Sequence, residues 1–94
     1  MTYTIEIRPT ARRDLKELDR AVAERAAKRI DGLSHYPRAF DSEDLAGDLA
    51  GLCKLRAGDY RVVYAADEER LVVTVWGIGH RSRIYETMRR RVGQ

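Results

Sequence analysis

The sequence predicts an α+β fold in which two helices lie on one face of an antiparallel sheet, in the order strand, helix, helix, strand, strand, strand, tail. Three observations carry this. The chain opens on an alternating apolar and polar segment, Tyr3 to Arg8. Two stretches with apolar residues at helical spacing follow. Three strand candidates then come in quick succession between Leu52 and Ile78, joined by turns short enough to make them antiparallel neighbours.

The first strand, Tyr3-Thr4-Ile5-Glu6-Ile7-Arg8, has the period of a half-buried strand, and Pro9 ends it. Thr10 is placed to cap the next helix, where Ala11, Leu15 and Leu18 form one stripe. In the second helix Val22, Ala26, Ile30 and Leu33 share a face, and Tyr36-Pro37 stops it. Both stripes are narrow, so each helix rests on another element and shows its charges to water. Arg38 to Leu52 reads as a loop punctuated by Gly47 and Gly51. The strands are Leu52 to Ala57, Tyr60 to Ala66 and Arg70 to Ile78, with Gly58-Asp59 and Asp67-Glu68-Glu69 as turns. Gly77 and Gly79 are expected to release the backbone before His80-Arg81. The basic tail, Ser82 to Val92 with Arg89-Arg90-Arg91, is either a short helix or frayed.

A chain of 94 residues makes one domain, residues 1–94, with little stability to spare. Its start lacks the basic segment and apolar run of a signal peptide, and the longest apolar-rich stretch is too short to span a bilayer. Cys53 is the only cysteine, so no internal disulfide forms and no zinc-ligand spacing is present. The expectation is a cytoplasmic protein with no membrane association, no cofactor and no metal. Net charge is +3, yet Arg38 to Gly51 holds Asp41, Glu43, Asp44 and Asp48 against one arginine, so the rest of the chain is more basic than the sum. Most of the basic residues are arginine, suited to forked phosphate contacts and stacking on bases. A high-GC genome enriches arginine as well, so charge alone does not settle a nucleic-acid partner.

Alternation sharpens the picture. Cys53, Leu55 and Ala57 fall on one side of their strand, and Lys54 and Arg56 on the other. Val62 and Tyr64 suit the core, which turns Arg61 toward the second side together with Val63. Arg81 leaves the last strand, with Tyr85 four residues on. The set Lys54, Arg56, Arg61, His80, Arg81 and Tyr85 is thus expected around an open concave face. Each residue alone fits a solvated cation, a rim tyrosine or a backbone-bonded histidine. Together they are harder to dismiss, because like charges on neighbouring strands repel, and a shared anionic partner explains keeping them.

Cleavage of a phosphodiester by the adjacent 2′-hydroxyl needs a proton acceptor, a proton donor for the leaving oxygen, and cations for the added negative charge. RNA supplies the nucleophile, so no Ser, Cys or metal is required. Arg61 and Arg81 suit charge stabilisation, because arginine keeps its proton. Lys54 suits either service, and Tyr85 stacks on a base or relays a proton. His80 is the one group in the set that titrates near neutral pH when unperturbed. Catalytic and structural roles for it weigh equally. His35, near a helix C-terminus, is read as structural.

Three segments resemble the RelE/ParE toxin superfamily: Thr10 to Leu18; Leu52-Cys53-Lys54-Leu55-Arg56-Ala57-Gly58-Asp59-Tyr60-Arg61-Val62-Val63-Tyr64; and Gly79-His80-Arg81-Ser82-Arg83-Ile84-Tyr85. They span nearly the whole chain in the family's order. The resemblance implies a RelE-like fold and a toxin that enters the ribosomal A site and cuts messenger RNA through 2′-hydroxyl attack, leaving a cyclic phosphate. It implies a RelB-like antitoxin that wraps the toxin, with DNA reached only through that complex. Lys54, Arg61, Arg81 and Tyr85 match functional positions of RelE-type toxins, and Arg56 and Arg83 join them as RNA contacts. Leu52 departs from the pattern, because well-studied members place a second lysine there. Either His80 takes over proton transfer or the nuclease is weakened. The alternatives are a ParE-type inhibitor of DNA gyrase and a non-catalytic RNA- or partner-binding module. The apolar stripe and basic tail are expected to receive an acidic, amphipathic antitoxin segment.

Overall fold

The computed structural model describes residues 2–38 and 41–93. Strand β1 (Thr4–Ile7) leads into helices α1 (Pro9–Glu17) and α2 (Arg20–Gly32). A two-residue strand β2 (Glu43–Asp44) and a 3-10 turn at Gly47–Leu49 follow. The meander β3 (Cys53–Ala57), β4 (Tyr60–Asp67) and β5 (Val72–His80) completes the sheet, and helix α3 (Ile84–Val92) closes the chain. The sheet order is β1-β5-β4-β3-β2. No helix among the described residues is long and apolar enough to cross a membrane.

The α+β class and the two-helix layer stand as the sequence predicts, with one change in strand direction. β1 pairs in parallel with β5, from Thr4 against Val72 to Ile7 against Val75, so the sheet is mixed rather than antiparallel. The reason is the crossover. The α1–α2 layer carries the chain away from β1, and the odd number of strands in the meander brings β5 back in the same direction beside it. Helix α1 begins at Pro9, whose fixed φ suits the first helical position, and Thr10 lies inside the helix rather than capping it. The predicted loop Arg38 to Leu52, whose residues 39 and 40 lie outside the described ones, contains β2 and the 3-10 turn. The last strand starts at Val72 rather than Arg70. Asp67 Oδ1 accepts the Glu69 and Arg70 amides, and Leu71 takes a left-handed φ of 57°, so these residues belong to the turn.

The main core lies between the sheet and the α1–α2 layer. Ala11, Ala26, Ile30 and Leu33 pack on Cys53, Leu55, Val62, Tyr64, Val73, Val75 and Ile78. Burial of each large side chain here contributes about 2 kcal/mol. The Tyr64 hydroxyl donates to the Pro37 carbonyl at 2.7 Å, tying β4 to the chain leaving α2.

The opposite face differs most from the sequence expectation. The tail is not frayed: α3 packs on it, and Ile84 and Met88 join Leu49, Leu52 and Val63 in a second core. Gly77 and Gly79 make this possible. A Cβ at Gly77 would sit 2.6 Å from Met88 Sδ, and one at Gly79 would sit 3.2 Å from Ile84 Cδ1. β5 runs unbroken through both glycines to His80, so they do not release the backbone as expected; they are the seat of a helix. Only the β3–β4 end of this face stays open.

Candidate RNA-cleaving site

Two rows of residues cross the face that α3 half covers. Lys54 on β3, Val63 on β4 and Gly77 on β5 form one; Arg56, Arg61 and Gly79 form the other. Each row runs from cations on β3 or β4 to a glycine beneath α3. The helix thereby enters the site from the side, and Tyr85 in its first turn comes over Lys54. Lys54 Nζ lies 5.4 Å from the Tyr85 ring centroid, a cation over an aromatic face.

Arg56 and Arg61 stand opposite each other, two like charges on neighbouring strands. Arg61 is 9% exposed, and one guanidinium nitrogen donates to the carbonyls of Gly58 (2.9 Å) and Tyr60 (3.0 Å). No carboxylate among the described residues pairs with it. Gly58, at φ 64°, makes the tight hairpin turn that presents these carbonyls. Among the described residues the hydrogen bonds of the Arg61 guanidinium are to backbone carbonyls, which leave its positive charge without a paired anion. Beside it opens a cavity of about 310 Å³ lined by Asp41, Ser42, Glu43, Lys54, Arg56 and Arg61.

Arg81 and Arg83 are exposed on the connection from β5 to α3. The Arg81 amide donates to the Asp59 carbonyl at 2.9 Å, which fastens this connection to the turn that holds Arg61. Of the sequence-predicted residues, the structure thus brings Lys54, Arg56, Arg61 and Tyr85 onto one face, with Arg81 and Arg83 at its rim. It does not bring His80 there. His80 is the strand partner of Tyr60, and the two rings meet edge to face at 5.4 Å on the side of the sheet facing α1 and α2. Its Nδ1 is engaged by Ser82, 2.8 Å from Oγ and accepting the Ser82 amide at 3.2 Å.

Sequence reasoning missed the part played by the acidic segment. Each of its four carboxylates takes a cation: Asp41 with Arg29, Glu43 with Lys54 (3.6 Å), Asp44 with Arg38 (2.9 Å) and Asp48 with Arg89 (3.5 Å). Arg29 holds Asp41 below the usual carboxylate range. The Cys53 thiol and Arg38 do the same for Asp44. The basic excess elsewhere in the chain was the available signal, since an acidic run of this density needs partners. Leu52 is buried in the second core, 8% exposed, so no ionisable group stands at that position.

A mixed five-stranded sheet, a two-helix layer on one face and a short helix beside a cationic cleft on the other define a class of small toxins. Residues 5–85 match the family of the ParE toxin of type II toxin-antitoxin systems. The chain is 36% identical over 86 residues to Toxin RelG of Mycobacterium tuberculosis, covering 90% of this chain and 98% of that one. It is 38% identical over 84 residues to Toxin RelE of the same organism, covering 88% and 86%. Among solved structures it is similar to the toxin–antitoxin complex RelBE2 of M. tuberculosis, with TM-score 0.78 and 32% identity over 86% of this chain and 100% of that one. The chain belongs to the RelE/ParE superfamily of type II toxins.

Proposed function

We propose that this toxin is a ribosome-dependent endoribonuclease that cuts messenger RNA in the A site by attack of a 2′-hydroxyl on the adjacent phosphate. One observation carries the reading: a buried Arg61, paired with no carboxylate among the described residues, beside Lys54 and Arg56 at an open cavity, with an aromatic ring over the lysine. Such a cleft fits a phosphate with a base stacked nearby.

In the proposed reaction the 2′-oxygen loses its proton and bonds to phosphorus, and the bond to the 5′-oxygen breaks. The products are a 2′,3′-cyclic phosphate and a 5′-hydroxyl. Arg61 and Arg81 hold the negative charge that builds on the phosphate oxygens, the Lys54 ammonium gives its proton to the departing 5′-oxygen while the 2′-proton is lost to solvent, from which the lysine is reprotonated, and Tyr85 stacks on the flanking base. Arg56 and Arg83 bind the strand on either side. RNA brings its own nucleophile, so the scheme uses neither metal nor cofactor. His80, engaged by Ser82 on the other face, serves the fold of the β5 end.

The partner that restrains the toxin is a RelB-like antitoxin, as in the solved relatives that are complexes of RelE with RelB from Pyrococcus horikoshii and Escherichia coli. The pair acts in the cytoplasm, where ribosomes are. Induced expression with primer extension on a reporter message tests the proposal. Cuts within codons, only during translation, are expected. Intact message with cleaved plasmid DNA would mark a gyrase poison, and intact message with intact DNA a binding module.

A further inference from the structure

Arg91 and Asp14 form the one ion pair among the described residues in which both partners are largely shielded, their side chains 22% and 16% exposed. In every other pair the carboxylate is at least 47% exposed. The contact is two-pronged, Nη1 to Oδ2 at 2.7 Å and Nη2 to Oδ1 at 2.8 Å, and Asp14 pushes the Arg91 pKa further up. The same groups also serve the backbone of β5: Asp14 Oδ2 accepts the Ile78 amide at 2.9 Å, and Arg91 Nη1 donates to the Trp76 carbonyl at 3.2 Å.

These backbone groups lie where the sheet is irregular. Pairing of β1 with β5 ends at Val75, and the β4–β5 register shifts between Val63 and Tyr64, opposite Gly77 and Val75. Asp14 of α1 and Arg91 of α3 reach around the sheet edge left there and clasp. Desolvating two charges is costly, and the bonds to the Ile78 amide and the Trp76 carbonyl, which an apolar pair would leave bare, offset part of that cost. What the ion pair adds is a fixed geometry between two helices on opposite faces and the strand between them.

We propose that the Asp14–Arg91 clasp is a positioning device for RNA cleavage: it fixes the far end of α3 over Gly77 and so sets where Tyr85 meets Lys54. Arg91 and Tyr85 are six residues apart, about 9 Å along the helix, with Met88 seated on Gly77 between them. Freed at Arg91, the helix turns about the Ile84 contact with Gly79, and the Tyr85 ring moves off the ammonium. Neither clasp residue touches RNA. The inference rests on the assignment of Lys54 and Tyr85 to the cleaving site.

Single-turnover cleavage on programmed ribosomes tests it with Asp14→Asn, Arg91→Lys and Arg91→Ala, below the melting temperature of the least stable variant. Arg91→Ala is expected to lower the rate constant about ten- to hundredfold, and Arg91→Lys to recover part of it. In a Tyr85→Ala background Arg91→Ala is expected to cost nothing more. A full second loss in that background, or an unchanged rate in the single variant, would overturn the clasp. If the unaltered toxin cuts no message, the nuclease reading fails on its own. The nuclear Overhauser contact between the Tyr85 ring and the Lys54 ε-methylene then decides the clasp: lost in Asp14→Asn and Arg91→Ala if it holds, kept if it does not.

Discussion

Glu43 and Lys54 stand directly opposite each other across the β2–β3 pair, with the carboxylate oxygen 3.6 Å from the ammonium. The lysine expected to meet RNA is therefore already matched, by a carboxylate that is 69% exposed. An ion pair this wet is worth less than about 1 kcal/mol, so a phosphate can displace it.

Replacing Glu43 by Gln is expected to tighten binding of a short single-stranded RNA by up to about fivefold, the equivalent of that energy. Fluorescence anisotropy at low salt reads this. Unchanged or weaker binding would mean that the pair does not compete with RNA. A hundredfold fall in cleavage would mean that Glu43 itself moves a proton.

Arg81 is exposed and makes no ion pair among the described residues, while its backbone is anchored to the turn that carries Arg61. Its charge is free for a substrate. Arg81→Ala is expected to lower the single-turnover rate about a hundredfold or more, the loss typical of one transition-state stabiliser, with little change in melting temperature. A rate within threefold of the parent would remove Arg81 from the mechanism.

His80 is the opposite case. Edge-on contact with Tyr60 and the Ser82 hydrogen bonds account for its ring on the face away from Lys54. His80→Gln is expected to leave both the cleavage rate and its pH profile close to those of the parent. Loss of one limb of that profile would restore the histidine as the proton carrier.

Cys53 gives the stability a pH signature. Burial, followed by the neighbouring Asp44 carboxylate, pushes the thiol up to about 11 from its ordinary value near 9. Between those values the unfolded chain has lost the proton and the folded chain has not, so stability falls as pH rises. The slope approaches about 1.4 kcal/mol per pH unit. Urea melts between pH 8 and pH 11 are expected to show a steeper decline for the parent than for Cys53→Ser. Parallel curves would contradict the assignment.

The legible part of the sequence was the part governed by period. Alternation placed Lys54 and Arg56 opposite Cys53 and Leu55, and turned Arg61 away from Val62 and Tyr64, as the strand register has them. Helical spacing gave the α1 and α2 stripes. Three things were not legible, each depending on residues far apart in the chain. The parallel β1–β5 pairing is a property of the crossover, and nothing in Thr4–Ile7 encodes a direction. The packing of α3 depends on space above Gly77 and Gly79, whereas a glycine in a sequence speaks first of turns. The face chosen by His80 follows from its pairing with Tyr60, a register that includes the bulge near Val63. Simple alternation from Arg61 does not carry across that bulge to the other strand.

In the proposed reaction the cleft lets an RNA strand cut itself. A programmed ribosome carrying an all-ribose message, and a second one with a single 2′-deoxy nucleotide at the cut site, test it most directly. The first message is expected to be cut, leaving a cyclic phosphate, and the second to survive intact at that position. Equal cutting of both, or of neither, would contradict it.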